Sequence, residues 1–211
     1  MSFRFGETYV EGKMNDKFFD LKREKQDRMI NAGLKVFARH GYRHATTDDI
    51  VKEAGISKGL LFHYFENKVG IYVFLMDYSV RFLLLEISRS VKKDVSDFFE
   101  LNRQIEWGKL QVLRNYPYMQ AFLDKAFEEN CLEALEECEE QKNVYQQKIS
   151  DYFAQVEGHE FKNGVTLEQM QQLFKYVIKG ITAESMALDI VQPEMMYHQI
   201  CDYLNMMEGI C

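Results

Sequence analysis

Residues 57–64 bring together side chains that can bind phosphate groups and the edges of nucleic-acid bases. An ammonium, an imidazole and a phenol can donate hydrogen bonds to phosphate or base oxygens, a hydroxyl adds a further donor, and a leucine can contact a thymine methyl group. A glycine among them lets another molecule approach the backbone closely. The residues concerned are Ser57, Lys58, Gly59, Leu60, His63 and Tyr64.

Two short helices position these side chains. Thr46 and the two aspartates that follow Thr47 predict a helix start, because a threonine oxygen can accept from a free amide and carboxylates favour the positive end of a helix dipole. Gly55 ends this helix and Ser57 begins the next, which buries Leu61 and Phe65. The spacing predicts a helix-turn-helix over 46–65, whose second helix enters a groove of DNA. The first amides of 47–54 and 58–65 can bind phosphates, and Lys68 adds a further phosphate contact.

Two of these assignments have a plain structural alternative. Leu60 can instead pack against its own domain, and Lys68 can be a solvated surface lysine.

Charge is unevenly distributed along the chain, whose formal net charge is −7. Residues 21–70 carry ten Lys or Arg against six Asp or Glu, whereas residues 71–211 carry thirteen against twenty-three. The helix-turn-helix therefore lies in a segment of charge +4, whereas residues 71–211 carry −10 and residues 1–20 carry −1. This separation favours a nucleic-acid contact that is confined to the N-terminal third.

Composition predicts an all-α protein. Two prolines and twelve glycines in 211 residues are too few for the many turns of a β-sandwich, and no alternating strand pattern is present. No apolar run approaches the ~18 residues of a membrane span, and no secretory signal is visible, so we expect a soluble cytoplasmic protein. Four cysteines without a CxxC pair predict reduced thiols.

The segment from about 25 to 70 resembles the DNA-binding domain of the tetracycline-repressor (TetR/AcrR) family of bacterial regulators. The resemblance rests on the runs Ala32–Phe37, Gly41-Tyr42, Thr46–Ile50, Ala54–Phe65 and Asn67-Lys68. It implies that Thr47, Ser57, Lys58, Gly59, His63, Tyr64 and Lys68 contact DNA. Where many members have a tyrosine two residues before Tyr64, this chain has Phe62, which cannot donate a hydrogen bond.

The resemblance also implies an architecture and a mechanism. We expect about nine helices. The chain would divide into a disordered extension (1–13), a DNA-binding head (14–70) and an effector-binding and dimerisation body (71–211). A homodimer would place two recognition helices ~34–36 Å apart, or a multiple of it, on a palindromic operator. A small, largely apolar or aromatic effector would release a repressor of this kind, and no cofactor or metal is expected.

Two groups of body residues are predicted to serve these roles. The last two helices, between about 166 and 208, would pair with their copies in a four-helix contact through Met170, Phe174, Ile178, Met195, Ile200, Leu204 and Met207. Aromatic residues would line the effector cavity, although residues at such spacing also form ordinary cores. These are Trp107, Tyr116, Tyr118, Phe122, Phe127, Tyr145 and Phe153.

Other interpretations carry less support. We interpret the seven carboxylates of residues 128–140 as a solvated helix face, although they could attract a cationic effector. Glu194, His198 and Cys201 share a helix face but form a weak metal motif. The body shows no nucleophile–base pair and no phosphate loop, which argues against an enzyme. A DNA-bound protein that recruits another protein, without answering a ligand, remains an alternative on the same fold.

Overall fold

The computed structural model describes residues 16–210, and this range is helical without any strand. The extension predicted at 1–13 lies outside the described residues. Ten α-helices are present within them, against about nine expected, because a single turn precedes the first long helix. They are α1 (Asp16–Phe19), α2 (Arg23–His44), α3 (Thr47–Ala54), α4 (Lys58–Phe65), α5 (Lys68–Ser90), α6 (Phe98–Leu113), α7 (Met119–Phe127), α8 (Leu132–Phe153), α9 (Leu167–Ala187) and α10 (Pro193–Ile210).

The predicted helix starts are confirmed by their hydrogen bonds. Thr46, Ser57 and Asn67 each accept a backbone N–H from the first turn of α3, α4 and α5, at 3.1, 3.2 and 2.8 Å. Thr166 forms a capping box with Gln169 at the start of α9. Such caps satisfy amides that have no partner inside the helix.

Gly41 interrupts the helical geometry of α2 near its C-terminal end. It adopts a left-handed conformation, with φ of +65°, and a further turn continues to His44. A glycine takes this conformation without the strain that a Cβ atom would impose. The kink turns Tyr42 into the core, where it is 2% exposed.

Helix α5 connects the head to the body. It packs against α2, α6, α7 and α8, so that most of its circumference is buried. Phe82 and Leu85 of α5 are only partly buried. Other faces of α5 are covered instead, through Tyr72, Met76, Ser79, Val80, Leu83 and Ile87.

Two hydrophobic clusters form the core. The first joins α1–α4 to most of α5, to α7 and to the start of α8. The second joins the end of α5, at Ile87, to α6, α9 and α10. The boundary predicted at residue 70 stays a prediction, and the first cluster extends across it.

Polar contacts also join the head to the body. The buried Tyr116 hydroxyl donates to Asp27 Oδ1 at 2.5 Å and lies 2.8 Å from the Tyr78 hydroxyl. Arg23 donates to the same Tyr116 oxygen at 2.9 Å. Burial, with Tyr78 and Asp27 as neighbours, raises the pKa of Tyr116, which therefore stays protonated and keeps its donor role at neutral pH.

Candidate DNA-binding surface

Helix α4 divides its residues between the core and solvent. Leu61 and Phe65 are buried, with exposures of 1% and 7%, and hold the helix against the first cluster. The opposite side carries the predicted contact residues: Lys58, Gly59 and His63 are exposed, and Leu60 and Tyr64 are partly buried. A Cβ atom at Gly59 would meet no atom within 4 Å, so this part of the surface is open.

The charged side chain of α4 is held at the surface by a partner from α3. Lys58 Nζ lies 2.8 Å from Asp48 Oδ1, and the two side chains are 52% and 72% exposed. An ion pair in this setting contributes little to stability, because water and salt screen it. Lys58 can therefore exchange this carboxylate for a phosphate at small cost.

His63 and Tyr64 form an aromatic pair on the same surface. Their rings meet edge to face with centroids 4.8 Å apart. Tyr64 also packs edge to face on the buried Phe18, at 5.7 Å. This packing restricts the orientation of Tyr64 before any partner binds, which reduces the entropy cost of a contact.

Two predicted contact residues also have structural roles. Ser57 caps α4, so its oxygen is occupied while its hydroxyl proton remains a donor. Lys68 donates to the carbonyl oxygens of Tyr42 and Ala45, at 3.0 and 3.4 Å, and its Nζ lies 4.3 Å from the Tyr42 ring centre. Lys68 thus joins the start of α5 to the end of α2 and is not simply a solvated lysine. Thr47, the first residue of α3, is partly buried beside the surface.

The helix-turn-helix matches a known family. Residues 29–73 match the model of the bacterial regulatory proteins of the tetR family. The chain also shares the fold of the transcriptional regulator FadR from Bacillus subtilis, whose structure contains stearoyl-CoA. The two structures superpose with a TM-score of 0.58 at 18% identity, over 87% of this chain and 98% of that one. Residues 29–73 therefore form a DNA-binding segment of the tetR family type.

Curated relatives match only part of this chain. The fatty acid metabolism regulator protein of Bacillus subtilis is 37% identical over 54 residues, which are 26% of this chain and 28% of that protein. The transcriptional activator FasR of Mycolicibacterium smegmatis is 25% identical over 83 residues, covering 39% and 38% of the two chains. The matches span less than half of each relative, and these relatives are transcriptional regulators.

The predicted effector residues do not gather around one cavity. Tyr116 and Phe122 have no exposed surface and pack inside the first cluster, and Tyr118 lies partly buried at its edge. Phe127 packs on Tyr145, Phe153 packs on Phe98, and Trp107 is 45% exposed. A pocket instead lies between α6, α7, α9 and α10, lined by Glu106, Leu110, Leu113, Gln120, Ile178, Thr182, Pro193, Met196, Tyr197 and Ile200. None of the seven aromatic residues lines this pocket.

Most of the predicted dimer residues face the interior of their own chain. Met170, Phe174, Ile200, Leu204 and Met207 are at most 6% exposed and belong to the second cluster. Ile178 lines the pocket, and only Met195, at 43%, is well exposed. The sequence correctly identified an apolar face on α9 and α10. This face packs within the same chain, against α6 and against the other of these two helices.

Three polar features escaped the sequence reasoning. Glu133 is exposed and Glu129 partly buried, and the two also accept hydrogen bonds from the hydroxyl and the backbone N–H of Tyr42, respectively. Glu194, considered as a metal ligand, instead pairs with Arg114 at 2.9 Å. A lysine and a glutamate are buried together in α6, where Lys109 on the apolar side of the helix was the available signal.

In the described part of the chain no helix is long and apolar enough to cross a membrane.

Proposed function

We propose that the chain is a ligand-responsive repressor that binds a palindromic operator as a homodimer. The observation that carries this proposal is the recognition helix α4, which presents Lys58, Gly59 and His63 to solvent on a buried base of Leu61 and Phe65. The first N–H groups of a helix have no partner inside it, so those at the starts of α3 and α4 can donate hydrogen bonds to phosphate oxygens. The contact set is Thr47, Ser57, Lys58, Gly59, Leu60, His63, Tyr64 and Lys68.

The charge distribution supports the same orientation on DNA. The head carries the positive excess of residues 21–70, whereas the body is acidic. The acidic body is repelled by phosphates, so the head is the part that docks. Binding should weaken with rising salt, since each neutralised phosphate releases counterions.

The dimer contact is proposed on the outer face of α9 and α10. Leu173 and Tyr176 of α9 are 47% and 62% exposed, and the small residues Gly180, Ala183 and Ala187 continue the same helical face. Met195, Tyr203, Met206 and Ile210 form an exposed apolar stripe along α10. Exposed apolar stripes on adjacent helices are typical of a four-helix contact between identical chains.

Effector binding would act through the body on the spacing of the two heads. An effector changes operator affinity only if it binds two conformations of the dimer with different affinity. A coupling of ~1–3 kcal/mol changes operator affinity roughly 5- to 150-fold, which is enough for regulation. Helix α5 is the physical link, because its side chains belong to both hydrophobic clusters.

Footprinting on genomic DNA tests the DNA-binding part of the proposal. The purified chain should protect a palindromic site, and Lys58→Ala combined with Tyr64→Ala should abolish protection. Lys93→Ala removes an exposed lysine far along the chain from α4 and serves as the matched control. The proposal would be contradicted if the chain protected no genomic site, or if the protection survived the double substitution. A reporter gene behind the protected site then tells repression from activation.

Sedimentation tests the dimer contact separately. Tyr176→Glu with Met206→Glu should convert a dimer to a monomer, because two charges would be buried at the contact. Leu132→Glu changes another exposed apolar residue, 71% exposed on α8, and should leave the dimer intact. A dimer that survives the double substitution would place the contact elsewhere.

A further inference from the structure

One face of α2 carries a row of polar side chains that contact the body. Side chains four residues apart form a continuous ridge along a helix. Each member of this row contacts either the segment 114–118, which connects α6 to α7, or the residue pair that follows α9. This polar seam consists of Arg23, Asp27, Asn31, Lys35 and Arg39.

The N-terminal end of the polar seam binds a buried tyrosine hydroxyl. Tyr116 donates to Asp27 Oδ1 at 2.5 Å and accepts from Arg23 at 2.9 Å, and the tyrosine has no exposed surface. The Tyr78 hydroxyl of α5 lies 2.8 Å from the same Tyr116 oxygen. A hydrogen bond to an ionised group is roughly twice as strong as one between neutral groups. Tyr116 therefore joins α2, α5 and the segment between α6 and α7 at one point.

The remainder of the polar seam extends this contact along α2. Asn31 donates to the carbonyl oxygen of Asn115 at 3.0 Å. Lys35 Nζ and Arg39 Cζ lie 5.8 and 5.9 Å from the centre of the Tyr118 ring, and Arg39 also pairs with a carboxylate just after α9. From residue 23 to residue 39 the contacts span about 24 Å of helix. Contacts at both ends of such a length fix the angle of α2 as well as its position.

The hydrogen bonds of the polar seam are more selective for geometry than the apolar packing beside them. Phe37 of α2 packs on Phe122 of α7, with ring centres 6.2 Å apart. Apolar contacts are non-directional, and packed helices can slide past each other by small amounts. Such a slide would deprive the buried Tyr116 hydroxyl of its charged partner Asp27, which is costly for a buried donor. The polar seam therefore holds α2 at one angle to the body.

The angle of α2 determines where the recognition helix lies. Helix α2 packs against α3, and Lys35 of the polar seam also pairs with Glu53 of α3 at 2.6 Å. Helix α3 leads into α4 through the turn at Gly55. In the proposed dimer, α9 and α10 hold the two bodies together. The angle between each head and its body then sets the distance between the two recognition helices.

We propose that Tyr116 is a positioning residue for operator binding. By binding Asp27 and Arg23, it fixes the angle of the head and thereby the half-site spacing that the dimer accepts. Tyr116 lies in the contact between head and body, so its substitution leaves the DNA-contacting side chains of α4 in place. The role in operator binding rests on the proposed function, whereas the contact between Tyr116 and Asp27 does not.

Operators of altered spacing test this role. Gel-shift titrations compare the operator found by footprinting with two versions in which one base pair is inserted or deleted between the half-sites, a displacement of about 3.4 Å. We expect the parent chain to prefer the original spacing at least about tenfold, and Tyr116→Phe and Asp27→Ala to reduce this preference below about threefold. A parent chain without a preference, or variants that lose affinity for all three operators by the same factor, would overturn the proposal.

Two further variants serve as controls. Asp27→Asn keeps an oxygen that accepts from Tyr116 and should retain most of the spacing preference. Tyr72→Phe removes the hydroxyl of another buried tyrosine of α5 and should change neither affinity nor preference. The proposal would fail if Asp27→Asn lost the preference as fully as Asp27→Ala, or if Tyr72→Phe behaved like Tyr116→Phe.

Urea denaturation tests the contact without DNA. The double variant of Tyr116→Phe and Asp27→Ala should lose less stability than the two single variants together, because both remove the same hydrogen bond. Additive losses would refute the contact and the positioning role. A chain that shows this coupling but protects no operator would keep the contact and refute the proposed function. A chain that protects an operator, with an unchanged spacing preference in Tyr116→Phe, would remain a regulator and refute the positioning role.

Discussion

Polar side chains in α3 and α4 are mostly exposed, whereas Asn102, Gln104, Glu106 and Lys109 of α6 are buried. In the head, Thr46 and Ser57 satisfy nearby amides within three residues, and the Lys58–Asp48 pair lies in water. In the body, Glu106 and Lys109 pair in the interior, and oxygens of Gln120 and Asp124 lack partners. The head keeps its polar surface ready for a large charged partner, and the body pays a desolvation cost that a small ligand can offset.

The largest expected effect comes from breaking the buried ion pair. Glu106→Leu should lower the free energy of unfolding by about 3–5 kcal/mol, because it leaves the Lys109 ammonium buried alone. Burial alone would lower the pKa of Lys109, but Glu106 together with Tyr145 and Asp124 raises it, so Lys109 stays charged. Urea denaturation measures the loss. Glu106→Leu with Lys109→Met should recover most of it, and a double variant as unstable as the single one would argue against the pair.

Two glycines extend the comparison to backbone packing. A Cβ atom at Gly108 of α6 would meet Ile87 Cα at 2.8 Å, so Gly108→Ala should cost about 1–3 kcal/mol of stability. Gly59 of α4 faces open space, and Gly59→Ala should instead stabilise the helix by up to about 1 kcal/mol. The same alanine should weaken operator binding. Thermal melts and gel shifts of both variants check these signs, and a destabilised Gly59→Ala would show that the head surface is less open than the structure indicates.

Alkaline pH should affect the body through a buried thiol. Burial and the nearby Glu137 raise the pKa of Cys138 from 9.0 to about 12. As the pH rises, the thiol therefore ionises in the unfolded chain before it ionises in the folded chain. The stabilisation that Cys138 contributes through this difference is complete below pH 9 and declines between about pH 9 and 12, at up to about 1.4 kcal/mol per pH unit. Denaturation of Cys138→Ala should therefore show a shallower decline than the parent chain above pH 9. Parallel pH curves for the two proteins would refute this.

The smallest effect on stability is expected at Lys58. Lys58→Ala removes an exposed ion pair and should change the free energy of unfolding by less than about 0.5 kcal/mol. It should nevertheless weaken operator binding and reduce the salt slope by about one. Titrations at several salt concentrations measure this. If the substitution lowered stability by more than 1 kcal/mol, Lys58 would have a structural role that its exposure does not suggest.

The sequence predicted the head more fully than the body, and the reason is physical. Caps, turn glycines and the recognition helix depend on residues close together in the chain, so Thr46, Ser57 and Asn67 could be assigned without the fold. The buried pair of Glu106 and Lys109 and the inward face of α10 depend on helices far apart in sequence. An apolar stripe such as Ile200, Leu204 and Met207 predicts burial but does not say whether the same chain or a second copy provides the cover.

The length of α5 gives a small change in the body a mechanical advantage at the head. Its 23 residues, at about 1.5 Å each, make a rod of about 34 Å. If such a rod tilts by about 6° around its C-terminal end, its first residue moves by about 3.5 Å, close to the ~3.4 Å between successive base pairs. A tilt of this size at the body end of α5 would thus shift the recognition helix by about one base-pair step.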